Sequence, residues 1–225
     1  EVTAVRNEEG LTPIQYCSKK GLFDNPTVAA HCVWIDTEDT KILSENSVGV
    51  AHNPISNMIL ASGICPVPEL RSLGINVGIG IDGAGSNDSQ DMLQSIKITP
   101  LLQRVKKMQA TALSARDAFM MATIEGAKVL GVESFLGSIE LRKRADFVIL
   151  DGDSPALANI HDPFQAIVYC AGKTEVKEVW VEGENIFKDG VITNVSKDEV
   201  VKNSKFQAVK LVKAAGLSKL SNLIN

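Results

Sequence analysis

Short apolar runs and amphipathic stretches alternate along the first half of the chain. Between about residues 27 and 107, each apolar run ends on a polar residue and is followed by a loop and by apolar positions at helical spacing. This order is typical of successive strand–loop–helix units, and it predicts a parallel sheet in an α/β fold. The predicted strands are Thr27–His31, Ser47–His52 and Ile75–Asp82.

Capping residues mark the helices that follow these strands. Asp36, with Asp39 three residues later, predicts a helix start after the first strand, and Ser114 with Asp117 predicts another. After the second strand we expect a long loop up to Cys65. The remaining helices are predicted over 66–74 and 89–107, and a single continuous helix is predicted over 114–130.

The apolar pattern changes beyond about residue 140, where strand-like runs follow one another. Runs at 145–150, 166–170, 176–181 and 185–188 predict strands, and Glu182–Glu184 is the expected hairpin turn between the last two. The chain then changes back to a helical pattern.

The sequence pattern divides the chain into three units. Ser196, with Glu199 as its capping partner, predicts a final helix to about Ala215. We therefore expect a first unit at 1–139, a small mostly-β module at 140–195 and a C-terminal helix at 196–225 that packs on the first unit.

The composition is that of an ordinary globular protein, and it excludes several classes. Lys and Arg total 23 against 27 Asp and Glu, which gives a net charge of -4 over 225 residues. Because binding to a phosphate backbone needs clustered basic residues, we expect no nucleic-acid partner. No apolar stretch of about 18 residues is present, so we expect no membrane span. The four cysteines lie far apart, which favours a reducing cytoplasm.

Three successive strand ends carry residues that can bind a metal or move a proton. These residues are His31, His52 and Asp82. In parallel sheets and barrels, side chains at the carboxyl ends of strands converge on the ligand. A single such histidine is more often a hydrogen-bonded rim residue, but three in succession favour a functional site. His161, in the β module, is expected to be structural.

A glycine motif in the third strand raises a rival interpretation. Residues 78–83 read GIGIDG and match the G-x-G-x-x-G pattern of a nucleotide-binding oxidoreductase. That mechanism needs the glycines in the turn after a strand, where backbone amides meet the pyrophosphate. Here Gly78 and Gly80 fall inside the predicted strand, which disfavours the nucleotide site.

Three segments resemble the last three barrel strands of the amidohydrolase superfamily. They are VAAHCVW (28–34), VAHNPISNM (50–58) and GIGIDGAGSND (78–88). The resemblance is to the cytosine/guanine deaminase-like and chlorohydrolase-like branch, whose members act on 8-oxoguanine, S-adenosylhomocysteine and hydroxylated triazines. It continues through GSI (137–139), ADF (145–147) and HDP (161–163), and so covers nearly the whole chain.

The resemblance implies a fold, a cofactor and an activity. The fold would be strands 6 to 8 of a distorted (β/α)8 TIM barrel, together with part of a small β-sandwich. The cofactor would be one divalent metal ion, usually zinc and in some members iron. The activity would be hydrolysis of a C–N bond in a cyclic amidine-type N-heterocycle, a purine, pyrimidine or triazine, by a metal-bound hydroxide.

The resemblance also assigns roles to individual residues. Asp82 would be a metal ligand and a catalytic residue that takes a proton from the metal-bound water and passes it to the leaving ammonia. His31 would be catalytic, because it would hydrogen-bond the hydroxide or the developing tetrahedral centre. The substrate-binding residues would be Trp34, His52, Asn57, Ser86 and Asn87.

The chain is too short for the barrel that it resembles. Such a barrel needs eight strand–helix units in about 250 residues, whereas this sequence offers three, and it contains no His-x-His pair. The resemblance places Glu1 just past the fifth strand, so we expect the C-terminal half of an enzyme, inactive and metal-free without the N-terminal half. The complete protein is expected to be a homo-oligomer. A binding or assembly protein without activity is the alternative.

Overall fold

The computed structural model describes residues 2–217. Glu1 and the last eight positions of the predicted C-terminal unit, 218–225, lie outside the described residues. Two sheets are present in the described part: a three-stranded parallel sheet and a four-stranded antiparallel sheet. The fold class predicted from the sequence, α/β, is therefore confirmed.

Residues 2–217 contain ten α-helices and seven strands, besides shorter 3-10 and π-helical turns and the loops. The strands are β1 (Val28–Ala30), β2 (Gly49–His52), β3 (Val77–Ile79), β4 (Phe147–Leu150), β5 (Val176–Val181), β6 (Glu184–Lys188) and β7 (Val191–Ile192). The helices are α1 (Val2–Glu9), α2 (Pro13–Lys19), α3 (Thr37–Glu45), α4 (Pro54–Ile59), α5 (Val67–Ser72), α6 (Met92–Lys107), α7 (Ala115–Met121), α8 (Ile124–Val129), α9 (Pro163–Gln165) and α10 (Lys197–Ala214).

The predicted parallel sheet is confirmed, with strand order β1-β2-β3. Ala29 pairs with Val50, and Ala51 pairs with Gly78.

Two predicted capping boxes form in full, Asp36 with Asp39 at the start of α3 and Ser114 with Asp117 at the start of α7. At the start of α10 only half of the predicted box forms, because Ser196 accepts a hydrogen bond from the backbone N–H of Glu199 and the Glu199 side chain does not return one. These local signals were readable because a capping box joins two residues three apart.

Helix α8 packs closely on one face of this sheet. A Cβ at Gly49 would lie 3.0 Å from Val129, and a Cβ at Gly78 would lie 3.0 Å from Gly126. On the opposite face Val50 and Val77 are buried in the main apolar core, together with Leu43 from α3. The sheet is thus covered on both faces near its middle.

The predicted loop after the second strand was wrong, because residues 54–59 form helix α4. Pro54 takes the first helical position, where its fixed φ suits a helix and its missing N–H removes no hydrogen bond. Within α4, Ser56 and Asn57 are buried. This helix proves central to the candidate site.

The predicted single helix over 114–130 was also wrong, since α7 and α8 are separate. The break is at Thr123, whose backbone leaves the helical region and whose hydroxyl donates to the Phe119 carbonyl at 2.9 Å. A threonine hydroxyl that bonds back to the preceding turn competes with regular helix geometry.

The strand predicted at 166–170 is a π-helix that continues α9. Asp162 caps α9 by accepting hydrogen bonds from the backbone N–H groups of Phe164 and Gln165. A short apolar run cannot be assigned to a strand or a buried helix by periodicity alone. The other predicted strands of the β module are confirmed, and the structure adds β7.

The antiparallel sheet has the order β4-β5-β6-β7, and the predicted hairpin between β5 and β6 is confirmed. Glu182 and Gly183 both have positive φ, as a type I′ hairpin turn requires. The final helix α10 also forms, but none of its described side chains is fully buried. No helix within residues 2–217 combines the length and the apolarity needed to cross a membrane.

Candidate active site

The three strand-end residues lie along the same edge of the parallel sheet. His31 directly follows β1, His52 is the last residue of β2, and Asp82 comes three residues after β3. Because the three strands are parallel, their carboxyl ends meet at this edge. The parallel topology thus brings the three strand ends to one edge of the sheet, as the sequence pattern predicted.

His31 and Asp82 face each other across this edge. The distance between His31 Nε2 and Asp82 Oδ2 is 3.7 Å, and both side chains are about one-third exposed. Both residues have positive φ, 69° and 59°. A non-glycine residue in this region costs on the order of 1–3 kcal/mol, and such residues cluster at functional sites.

Two hydrogen bonds fix the Asp82 carboxylate. The Ser56 hydroxyl donates to Oδ2 at 2.6 Å, and the Gly83 backbone N–H donates to Oδ1 at 2.7 Å. The Ser56 hydrogen bond is the largest cause of a lowered Asp82 pKa, followed by the bond from Gly83 and then by a smaller effect of the nearby Ser86 hydroxyl. The residue is therefore an ionised acceptor at neutral pH.

Asn57, the residue after Ser56, contacts the other side of the pair. Its Oδ1 lies 2.7 Å from His31 Nδ1, and its side chain is only 1% exposed. The sequence predicted Asn57 as a substrate-binding residue, and in the structure its amide oxygen is already engaged by His31. Ser56 was missed, although it lies beside Asn57 in the segment whose resemblance was noted.

His52 is fully buried, on the sheet face opposite Gly49. Successive side chains of a strand alternate between faces, so His52 lies on the same face as the buried Val50. Burial, followed by the charges of His31 and Lys106, lowers its pKa to about 4. Neither ring nitrogen has a hydrogen-bond partner among residues 2–217. Its predicted contact with a substrate stays a prediction.

Trp34 lies at the rim with its ring open to solvent. Its indole N–H donates to the Ser62 carbonyl at 2.8 Å, while the side chain is 68% exposed. Gly63 follows Ser62, and its position requires a glycine. Its φ is +114°, and a Cβ there would lie 2.8 Å from Val33. The indole N–H is thus anchored while most of the side chain stays exposed to solvent.

Ser86 and Asn87 belong to the turn that follows Asp82. Asn87 is buried, and its amide donates to the Ile81 carbonyl at 2.8 Å. The Ser86 hydroxyl donates to the Gly83 carbonyl at 3.2 Å. Both residues therefore shape the loop that carries Asp82, and the substrate contacts predicted for them remain predictions.

The described residues fit part of a metal site. In residues 2–217 no group of three or more His, Cys, Asp or Glu is arranged to hold an ion. The donors that do converge are a carboxylate oxygen of Asp82 and a ring nitrogen of His31, which are both ligand types for zinc. Structural and catalytic zinc sites use three or four protein ligands, so this edge supplies at most two of them.

The buried cysteines are poor metal ligands or nucleophiles here. Burial, followed by the charge of Asp39, raises the pKa of Cys32 to about 12, and burial also raises that of Cys65. Metal binding and nucleophilic attack both need the thiolate.

The glycine motif serves packing rather than a phosphate. Gly78 lies against Gly126 of α8, and a Cβ at Gly80 would collide with Asn53 Oδ1. Both glycines are therefore needed for close approach within the fold, which explains them without a dinucleotide.

Comparison with known proteins decides the family. The pattern of the Amidohydrolase family matches residues 2–186. This chain belongs to the amidohydrolase family. The resemblance noted in the strand-end segments is thereby confirmed.

Curated amidohydrolase relatives carry deaminase names. A protein named 5'-deoxyadenosine deaminase from Methanopyrus kandleri is 44% identical over 204 residues, which are 91% of this chain and 47% of that protein. A 5-methylthioadenosine/S-adenosylhomocysteine deaminase from Desulforudis audaxviator is 39% identical over 95% of this chain and 50% of its own length. The chain thus spans about half the length of these relatives.

A solved amidohydrolase structure shares the fold. It is an adenosine deaminase from Xanthomonas campestris with bound zinc, and it superposes with a TM-score of 0.90 at 29% identity. The superposition covers 95% of this chain and 48% of that structure.

Proposed function

We propose that this chain supplies the C-terminal part of a metal-dependent aminohydrolase that removes the amino group of an adenine nucleoside. The reaction is hydrolysis of a C–N bond in a cyclic amidine, with ammonia as the leaving group. The family and the deaminase names of the relatives support the reaction class. The observation that carries the proposal is the pairing of His31 with Asp82 at the carboxyl edge of the sheet.

Asp82 would hold the metal ion and move the proton. Its carboxylate is ionised and partly exposed, and its two oxygens are oriented by Ser56 and Gly83. Zinc is the ion that the Xanthomonas structure contains, and iron is the alternative that the sequence resemblance implies. A bound divalent ion would lower the pKa of a water molecule and so supply the nucleophile at neutral pH. In this proposal Asp82 would accept the water proton and pass it to the leaving nitrogen.

His31 would act from the other side of the same space. Asn57 holds its ring through Nδ1, so Nε2 is the atom that faces the reacting groups. The exposed ring of Trp34 and the turn at Ser86 and Asn87 would border the substrate, whereas His52 is buried. A purine ring stacked on Trp34 would gain contact without displacing the hydrogen bond to Ser62.

The remaining ligands would come from a segment that completes the barrel. Within residues 2–217, β1 and β3 are the outer strands of the parallel sheet, so each has an edge that can pair with a further strand. We propose that residues 1–139 are strands 6 to 8 of a (β/α)8 barrel and that an N-terminal half closes it. The complete protein would be a cytoplasmic homo-oligomer.

The antiparallel sheet would be half of a small β-sandwich. Val148, Val191 and Ile192 expose about half or more of their surface, as expected of strands whose packing partner lies elsewhere. In this proposal residues 140–195 pair with such a partner, and the helix at 196–225 packs on the barrel.

The test is ammonia release after completing the barrel. The chain would be co-expressed with the N-terminal half of the M. kandleri relative, and 5'-deoxyadenosine, 5-methylthioadenosine, S-adenosylhomocysteine and a hydroxytriazine would be compared. We expect release from the adenine nucleosides that is abolished by Asp82→Asn. A stable zinc-loaded assembly that releases ammonia from none of these compounds would contradict the proposal and favour a binding or assembly protein.

A further inference from the structure

Two adjacent residues of α4 contact the two facing side chains of the candidate site. Ser56 donates to Asp82, which follows β3, and Asn57 contacts His31, which follows β1. Each contact joins residues 26 positions apart. Both α4 residues are only 1% exposed. A helix that follows the central strand thus reaches to both of its neighbours.

The contact with Asn57 bears on the protonation of His31. A neutral imidazole carries its proton on one ring nitrogen only. Asn57 Oδ1 is an acceptor 2.7 Å from His31 Nδ1, so the proton belongs on Nδ1. His31 Nε2 is then a lone pair that faces Asp82 Oδ2 at 3.7 Å. This distance is too long for a direct hydrogen bond, and a proton donor or a cation that contacts both atoms would lie to one side of the line between them.

We propose that Asn57 is a positioning residue that fixes His31 as the Nδ1–H tautomer, while Ser56 orients Asp82, so that α4 aims two acceptor atoms at one point. A group that contacts both acceptor atoms, His31 Nε2 and an Asp82 oxygen, would be a cation or an O–H donor such as water. His31 would then accept a hydrogen bond at Nε2 instead of donating one. Only the catalytic consequence rests on the proposed function, because a tautomer is a property of the chain itself.

The alternative is a reversed Asn57 amide. The amide nitrogen Nδ2 is buried and has no hydrogen-bond partner in the described part of the chain. If Nδ2 instead donated to His31 Nδ1, the ring proton would move to Nε2. That proton would point toward Asp82 from beyond hydrogen-bond distance. The two arrangements predict opposite tautomers.

The deciding experiment is imidazole ¹⁵N NMR on this chain. The sequence has only three histidines, so long-range ¹H–¹⁵N spectra contain three rings, which are assigned by replacing His52 and His161 one at a time. Spectra are recorded near pH 9, above the ordinary histidine pKa of about 6.5. We expect the Nδ1–H pattern for His31. An Nε2–H pattern for His31 in the unaltered chain would overturn the proposal. This measurement needs no substitution at the site.

Variants of α4 test the cause. Asn57→Leu should shift His31 toward the Nε2–H tautomer, whereas Asn57→Asp keeps an acceptor oxygen and should keep Nδ1–H. Ser56→Ala is the matched control, since it removes the neighbouring contact to Asp82 and should leave the His31 tautomer unchanged. Retention of Nδ1–H in folded Asn57→Leu would overturn the role of Asn57. The unchanged His52 signals report that each variant has folded.

Failure of this inference and failure of the proposed function are distinguishable. Ammonia release with an Nε2–H tautomer would refute the positioning role alone. An Nδ1–H tautomer without ammonia release would refute the proposed reaction alone.

Discussion

Ser56 and Asp82 are joined by a 2.6 Å hydrogen bond from the serine hydroxyl to the carboxylate, although 26 residues separate them in the chain. The serine is buried in α4 and the aspartate is partly exposed after β3. A buried donor thus fixes an exposed acceptor, which gives the carboxylate one defined orientation at the edge of the sheet.

Removing the Ser56 hydroxyl should raise the Asp82 pKa. This hydrogen bond is the largest cause of the lowered pKa, so in Ser56→Ala the value should move toward the ordinary one, while Ser56→Thr should retain it. Carboxyl ¹³C titration of both variants measures the effect. Because the folded pKa is lowered, the stabilisation from Asp82 is present above its unfolded pKa and is lost as pH falls through the folded pKa. An Asp82 titration that is identical in Ser56→Ala and the unaltered chain would refute this assignment.

His52 should make the chain less stable in mildly acidic solution. Its pKa is lowered to about 4 by burial, whereas the unfolded chain takes up the proton near 6.5. Stability should therefore be full above about pH 6.5 and should fall as pH drops toward 4, by on the order of 3 kcal/mol. Urea unfolding at several pH values measures this slope. His52→Asn should lose the slope, and His161→Asn should keep it; a slope that survives in folded His52→Asn must come from another group.

Arg71 should be worth more to stability than a surface ion pair. From α5 it binds Asp117 of α7 at 3.0 Å and also Glu125 of α8, and its side chain is largely buried. Arg71→Ala leaves two carboxylates without their cation, so we expect a loss of about 1–3 kcal/mol. Arg6→Ala is the control, because Arg6 and Asp36 form an exposed pair 3.6 Å apart that should contribute less than about 1 kcal/mol. Equal losses in the two variants, measured by urea unfolding, would contradict a stabilising role of this partly buried network.

Gly80 should not tolerate a side chain. In Gly80→Ala the new Cβ would collide with the Asn53 amide, which directly precedes α4. We expect about 1–3 kcal/mol of destabilisation from this overpacking, together with a changed His31 signal if α4 moves. Gly83→Ala is the matched control, since a Cβ there meets nothing within 4 Å. Indistinguishable melting of the two variants would show that the site accommodates the added carbon.

Local signals predicted most of the fold. The strands β1, β2 and β3 follow from apolar runs, and the start of α3 follows from the Asp36–Asp39 capping box, which lies within one helical turn. Errors arose where local and tertiary preferences differ. The run at 166–170 is apolar enough for a strand, but it continues a helix begun at Pro163.

The candidate site was predicted only in part, because local patterns reveal strand ends but not contacts between distant segments. His31 and Asp82 are placed by strand ends, which a pattern reveals, and their facing arrangement follows from parallel topology. The role of Ser56 depends on a contact between α4 and the loop after β3, and α4 itself was expected to be a loop. The burial of His52 depends on which face of β2 meets the core, and a four-residue strand with small residues does not reveal that from its sequence.

In the proposed function, Asp82 is a metal ligand of an aminohydrolase site that another segment completes. The most direct measurement is zinc content, by elemental analysis, of the chain co-purified with the N-terminal half of the M. kandleri relative, with and without Asp82→Asn. We expect about one zinc ion per assembled pair, a loss or strong reduction of zinc in Asp82→Asn, and no zinc in the isolated chain. Equal zinc content in the Asp82→Asn assembly, or stoichiometric zinc in the isolated chain, would contradict this proposal.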